Sequence, residues 1–313
     1  MKLLLPSSID LDVELPSDVV AVGYAVDRPV PGEHCEAEAL VVWGNPADQL
    51  LDSARRLRRL RWVQTLAAGP DAVLAAGFDP GVVITAGQTL HDTPVAEHAL
   101  ALILAAARRL NLVIRAQVGH RWAGELGGLQ PVAPAGTFRT LRGARVTIWG
   151  FGGIAATLAP HLTALGATVT GIARHRGERG GVPVLLADDL PAVLPATDVL
   201  VMILPGTAET RHALGAERLA LLPAHAWVIN VGRGSTVDEA ALLAAIRDRR
   251  LAGAGLDVFE TEPLPAGSGL WDEPNVIITP HAAGGRPIGA AGLIAENLAA
   301  LRTGAALRNV VPR

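Results

Sequence analysis

Three residues able to handle an anion and a proton stand in order in the second half of the chain. They are Arg233 in VINVGRGSTVDEAAL, Glu262 in GLDVFETEPLP and His281 in VIITPHAAGG. An arginine fork can hold a carboxylate and a carbonyl oxygen together. An imidazole titrates near neutrality, so it can both give and take a proton. A glutamate can accept a hydrogen bond from the far ring nitrogen, fix the tautomer and stabilise the imidazolium. Ahead of them lies the glycine-rich turn Gly150-Phe151-Gly152-Gly153-Ile154-Ala155. Such a turn cradles a dinucleotide pyrophosphate on a helix N-terminus. Together these features predict reversible hydride transfer to a 2-keto acid. Hydride addition leaves negative charge on the carbonyl oxygen, which a cation must meet and a proton must follow.

The turn has the surroundings it needs. Strand Arg145–Trp149 precedes it, a helix over Gly153–Leu165 opens on it, and a second strand, Thr168–Ala173, follows. Gly150 makes the tight turn, Gly152 admits the pyrophosphate, Gly153 and Ile154 open the helix, and small Ala155 permits close helix–strand packing. NAD enzymes place an acidic residue about 20 positions on, at the end of the second strand, to bind the adenosine ribose. Here that neighbourhood reads Ala173-Arg174-His175-Arg176-Gly177-Glu178-Arg179. Arg174, His175 and Arg176 can donate to a 2′-phosphate, so NADP(H) is preferred and NAD(H) remains possible. A solvated basic loop is the plain alternative. Pro205 and Val231, at the ends of two further strands, complete the expected cofactor contacts.

Elements that could position these residues alternate along the chain, which predicts parallel α/β layering. Early strands are expected at Lys2–Leu5, Val19–Val22, Leu40–Trp43, Trp62–Thr65 and Val82–Thr85, with helices at Asp48–Leu57 and Asp71–Ala76. One long helix is expected from Pro94 to Val118, then a loop over Gly119–Gly136. Later strands are expected at Val199–Ile203, Trp227–Val231, Gly253–Leu256 and Val276–Thr279, with helices near Glu217–Leu222, Asp238–Arg249 and Ile288–Arg302. A Gly/Arg loop is expected after Ala173. The basic run Arg55–Arg61 reads as a solvated face with Leu57 and Leu60 turned inward. Both halves are α/β, so two doubly wound domains are expected, with hinges near Thr93 and Ala283 and the last helix returning to the first domain.

Composition narrows the partners. The 313 residues are 50 % hydrophobic and carry a net charge of -3. No basic field draws such a chain to nucleic acid or an anionic membrane. Cys35 is the single cysteine, which fits a reducing, cytoplasmic compartment. The apolar start MKLLL is too short for a signal peptide, and Pro94–Ala107 falls short of a bilayer span. For the eight other histidines, His34, His91, His98, His120, His161, His175, His212 and His225, a catalytic role is less expected than a structural one. His98 is the next candidate after His281. No spacing suggests a metal site.

In these residues the chain resembles the D-isomer-specific 2-hydroxyacid dehydrogenases. LRGARVTIWGFGGIA resembles the family's cofactor turn, INVGRGSTVDEAAL its arginine segment, GAGLDVFETEPLP its glutamate segment and TPHAAGG its histidine segment. The separations, 29 from Arg233 to Glu262 and 19 from Glu262 to His281, agree as well. The resemblance implies an α/β fold of two doubly wound parallel-sheet domains. A Rossmann-type cofactor domain, 94–283, would be inserted in a smaller flavodoxin-like substrate domain, 1–93 plus 284–313, with the active site between them.

By resemblance, Arg233, Glu262 and His281 form the catalytic set, and Asp257 holds the nicotinamide carboxamide unless it is only a strand-end cap. The segment Leu66–Asp71 resembles the substrate loop, with the Ala68 and Gly69 N–H groups joining Arg233 and His281 on the substrate. Where the family usually has a third glycine, this chain has Ala155. The implied activity is reduction of a small 2-keto acid such as glyoxylate or hydroxypyruvate by a homodimer. D-3-phosphoglycerate oxidation ranks second, because 313 residues leave no room for a C-terminal regulatory domain. A dinucleotide-sensing regulator of the same fold is the reading from another class.

Overall fold

The computed structural model describes residues 1–127 and 137–312. The chain folds as two units, Met1–His91 with Arg286–Arg313, and Asp92–Gly285.

The first unit is built on short apolar runs. Strands β1 (Lys2–Pro6), β2 (Val20–Tyr24), β3 (Ala39–Val42), β4 (Trp62–Thr65) and β5 (Val83–Thr85) form one parallel sheet in the order β2-β1-β3-β4-β5. This is the flavodoxin-like order. Helices α1 (Ala47–Arg56) and α2 (Asp71–Ala75) lie between strands. Every residue of β3 and β4 is buried, as in a sheet covered on both faces. Alternate residues feed opposite cores: Leu40 and Val42 join one, Ala39 and Val41 the other. The basic run straddles the end of α1 and the turn after it. Leu57 and Leu60 are buried, and Arg56, Arg59 and Arg61 meet Asp52, Glu36 and Glu38.

The second unit opens with α3 (Asp92–Ala107) and α4 (Leu110–Val118). The single long helix expected over Pro94–Val118 is therefore two. The break lies at Arg109, whose φ of 55° is left-handed and whose guanidinium donates to the Leu126 carbonyl at 3.0 Å. A left-handed non-glycine residue costs of order 1 kcal/mol or more, and the side-chain bond helps offset it. The expected Gly119–Gly136 loop contains one 3-10 turn, Gly124–Leu126, and 128–136 lie outside the described residues.

There follow β6 (Arg145–Trp149), α5 (Gly153–Ala164), β7 (Thr168–Ile172), β8 (Gly177–Arg179), β9 (Val182–Leu185), α6 (Leu190–Val193), β10 (Val199–Met202), α7 (Ala216–Leu219), β11 (Trp227–Asn230), α8 (Glu239–Arg247), β12 (Gly253–Leu256) and β13 (Val276–Ile278). The sheet order is β13-β12-β11-β10-β6-β7-β9-β8. All pairs are parallel except β8–β9. Counted within the unit, with β8 left aside, this is the Rossmann order with one further strand at the β13 edge. Again the period of two splits the core. Val199 and Val201 of β10 pack with α3 and α5, and Leu200 and Met202 pack with α8.

The Gly/Arg segment after β7 is a hairpin rather than a loop. Arg179 pairs with Val182 across Gly180-Gly181, whose φ values are 57° and 77°. Two positive-φ glycines give the turn that matches strand twist. The closing helix α9 (Ala290–Thr303) packs Leu293, Ile294 and Leu298 into the first unit, and Val310 bridges to Thr85. No helix among the described residues is long and apolar enough to cross a membrane.

Candidate active site

The glycine turn leaves β6 at the point where the sheet order reverses, which is where open α/β sheets take ligands. Gly150 has a φ of +104°, and a Cβ there would lie 2.5 Å from the Ile203 carbonyl oxygen, just past β10. Any side chain would push apart the segments that flank the crevice. At Gly152 the space is open, with no atom within 4 Å of a Cβ. Gly152 caps α5, so the N–H groups of Gly153 and Ile154 begin a helix N-terminus suited to phosphate. Ala155 is fully buried, so the third small residue serves packing. The residues present therefore fit a dinucleotide. Pro205 is exposed beyond β10, and Val231 is buried at the end of β11.

The basic cluster divides by partner. Arg176 makes a two-pronged pair with Asp189 at 2.9 and 2.7 Å. The Leu186 amide and then Arg176 hold the Asp189 carboxyl below its ordinary range. Arg179, at the end of β8, donates to the Phe151 carbonyl inside the glycine turn. Arg174 and His175 are exposed, and among the described residues their side chains make no hydrogen bond or ion pair. The sequence offered Arg179 only as one of three arginines in a Gly/Arg loop. Gly180-Gly181 was the available sign of the hairpin that delivers it.

On the far side of the sheet centre, Asn230 ends β11. Its side chain binds the Arg233 carbonyl at 3.1 Å and the Gly232 N–H at 3.1 Å, so the turn carrying Arg233 is fixed by backbone contacts. Gly234 lies directly on the Phe259 backbone, its Cβ position 1.9 Å from the Phe259 carbonyl carbon. That contact presses the Arg233 turn against the segment carrying Glu262. There, Phe259 N–H donates to Glu262 Oε1 at 2.9 Å, and Glu262 Oε2 meets His281 Nδ1 at 2.7 Å. An ionised carboxylate only accepts, so Nδ1 carries the proton. Nε2 is left without a partner among the described residues, on a side chain 48 % exposed. Glu262 and His281 are thus brought together as expected.

An acidic neighbour went unnoticed in the sequence. Glu239 N–H donates to Glu260 at 3.1 Å, and Glu260 N–H donates to Glu239 at 2.5 Å. Burial first, then the charges of Glu260 and Glu262, push the Glu239 carboxyl above its usual range despite the Glu260 N–H bond.

His281 itself has a φ of 52°. Its N–H donates to Asp257 and Thr279 carbonyls at 2.8 and 3.1 Å. The Asp257 carboxylate, 1 % exposed, organises the same loop. It accepts from Thr279 Oγ1 at 2.6 Å, Ala282 N–H at 2.8 Å and Ala283 N–H at 3.0 Å. His98 of α3 reaches Thr279 Oγ1 at 2.9 Å. Asp257 is therefore the cap of the His281 loop, and a carboxamide contact would use what acceptor capacity is left. Among the described residues no three His, Cys, Asp or Glu side chains group as metal ligands.

In the first unit, the Leu66–Asp71 segment leaves β4 as a bend. His91 Nε2 donates to the Leu66 carbonyl at 2.8 Å, and Gly87 N–H donates to the Ala67 carbonyl at 2.8 Å. Among the described residues the N–H groups of Ala68 and Gly69 make no hydrogen bond, which suits them to an anion.

Residues 100–283 match the family model described as D-isomer specific 2-hydroxyacid dehydrogenase, NAD binding domain. The chain is 34 % identical over 261 residues to the glyoxylate/hydroxypyruvate reductase B of Pectobacterium atrosepticum, covering 82 % of this chain and 78 % of that one. It is also similar to a D-isomer specific 2-hydroxyacid dehydrogenase of Xanthobacter autotrophicus solved with NADPH and MES. There the TM-score is 0.80 and the identity 34 %, over 100 % of this chain and 98 % of that one. A third similar structure is the NADPH-dependent glyoxylate/hydroxypyruvate reductase of Sinorhizobium meliloti with NADP and sulfate. Its TM-score is 0.80 and its identity 27 %, over 99 % of this chain and 97 % of that one.

Proposed function

This chain belongs to the D-isomer specific 2-hydroxyacid dehydrogenases, and on that footing we propose that it reduces a small 2-keto acid, such as glyoxylate or hydroxypyruvate, with NADPH. The observation carrying this reading is the Glu262–His281 pair at 2.7 Å, its Nε2 unclaimed among the described residues, in the same unit as the glycine turn. When bound, NADPH supplies the hydride that adds to the carbonyl carbon. As an imidazolium, with Nδ1–H held by Glu262, His281 gives its Nε2 proton to the carbonyl oxygen as the C=O π pair moves there, and becomes the neutral Nδ1–H ring. Arg233 stabilises the developing charge and the carboxylate. Asp257, with the acceptor capacity its loop leaves, would hold the carboxamide end of the cofactor, and Ala68 and Gly69 are suited to donate to a carboxylate.

The cofactor preference rests on the end of β7, where Arg174 and His175 stand exposed, and unpaired among the described residues, in place of an acidic residue. The NADPH and NADP bound in the two similar structures support it. The test follows NADPH absorbance against a panel of 2-keto acids, with NADH in parallel. NADPH is expected to give the higher kcat/KM, and Arg174→Ala to lower it by about 10-fold or more, the loss of one charged hydrogen bond of roughly 1.5–3 kcal/mol, while NADH is little affected. Equal or better efficiency with NADH refutes the preference. Cofactor binding without turnover of any keto acid would favour the dinucleotide sensor.

We also propose a homodimer. Leu110, Ile114 and Val118 recur every four residues along α4, 43, 54 and 75 % exposed, and Trp122 beyond it is 96 % exposed. One apolar stripe of this kind on a monomer marks an interface. Light scattering is expected to give twice the 32.4 kDa chain mass, and Ile114→Glu with Val118→Glu to halve it. A monomeric wild type ends the proposal.

A further inference from the structure

The geometry points to His98 as a positioning residue that holds the His281 loop through Thr279 and Asp257; the inference rests on His281 as the proton carrier. Thr279 has one hydroxyl proton. It is committed to Asp257 Oδ1 at 2.6 Å, because a carboxylate cannot donate. The 2.9 Å contact from His98 Nε2 to Thr279 Oγ1 therefore requires Nε2–H as donor. This gives a directed chain, His98 Nε2–H to Thr279 Oγ1–H to Asp257 Oδ1. It joins α3 to the loop across 181 residues of sequence. His98 Nε2 also lies 3.5 Å from Asp257 Oδ1.

The loop needs such a hold. His281 sits at φ 52°, a conformation that non-glycine residues adopt at a cost of order 1 kcal/mol or more. The Asp257 carboxylate keeps it there by accepting from Thr279, Ala282 and Ala283, that is, from both sides of His281. Without the His98 donor, the Thr279 hydroxyl loses the partner that orients it. Asp257 is then held less firmly, and His281 spends less time where Glu262 meets Nδ1 and Nε2 faces outward. His98 itself touches neither reacting atom.

The experiment uses the full chain as wild type, His98→Leu, His98→Gln, Thr279→Val and the His98→Leu/Thr279→Val double variant. Amide hydrogen exchange is read at His281, Ala282 and Ala283 beside strands β11 and β12. His98→Leu and Thr279→Val are expected to speed exchange at those three amides about fivefold or more, with the strands unchanged, since one hydrogen bond is at stake. His98→Gln, whose amide can donate from a similar reach, should restore most of the protection, and the double variant should be no worse than Thr279→Val. With glyoxylate, kcat should fall in step with exchange while KM moves less. Unchanged exchange in His98→Leu, no rescue by glutamine, or additive effects in the double variant would each overturn the inference. A wild type without keto-acid turnover would instead sink the proton-carrier reading and leave the exchange result standing.

Discussion

Replacing His281 with alanine is expected to lower turnover by about 10²–10⁴ while NADPH binding stays nearly intact, because positioned proton transfer is worth that range. The side chain is 48 % exposed and its ring is held by Glu262 Oε2 alone among the described residues, so its loss removes no core packing. The loop around it is fixed by its own backbone and by Asp257, not by the imidazole. Melting temperature should therefore change little. Glu262→Gln is the informative companion. It keeps an acceptor for Phe259 N–H but loses the negative charge beside Nδ1, and should cost less than removal of the ring. Single-turnover rates with saturating NADPH, together with a fluorescence titration of the cofactor, separate chemistry from binding. Unchanged turnover in His281→Ala would remove this residue from the mechanism.

The chemical residues were legible because they lie in the turns that leave short apolar strands, where a parallel sheet delivers side chains to one edge. Gly150 directly follows Trp149, Arg233 lies a short turn past β11 and His281 a short turn past β13, while Glu262 is carried farther along the segment that leaves β12. The basic cluster was legible only as a set. Which arginine is spent on what depends on Asp189 and on the Phe151 carbonyl, and no spacing rule reaches either. The hairpin that sorts them has a three-residue strand, Gly-Glu-Arg, with no apolar alternation to betray it. Its Gly-Gly turn was the available sign. The break in the first long helix left no sign at all. Arg108 and Arg109 are good helix formers by type, and the left-handed φ at Arg109 goes with a carbonyl 17 residues on. His98 ranked only as the candidate after His281, because its partner Thr279 lies 181 residues away and emerges only once α3 packs on the sheet.

Arg233→Ala is expected to lower kcat by about 10²–10³, the usual cost of losing a donor to a developing oxyanion, and to raise KM for the keto acid as well. Its backbone would not move. Asn230 Nδ2 and Thr236 Oγ1 both bind the Arg233 carbonyl, at 3.1 and 2.7 Å, and Gly234 is seated on Phe259 whatever side chain precedes it. The variant should thus keep its melting temperature and its affinity for NADPH. Arg233→Lys tests the fork itself. A lysine returns the charge as a point but cannot hold carboxylate and carbonyl oxygens in one plane, so it should recover part of KM and little of kcat. Gly234→Ala is the contrast that isolates folding. A methyl group there would sit 1.9 Å from the Phe259 carbonyl carbon, so melting temperature and turnover should fall together. If Arg233→Ala kept kcat/KM near wild type, or lost activity only in proportion to stability as Gly234→Ala should, the guanidinium would have no part in binding the substrate's charge.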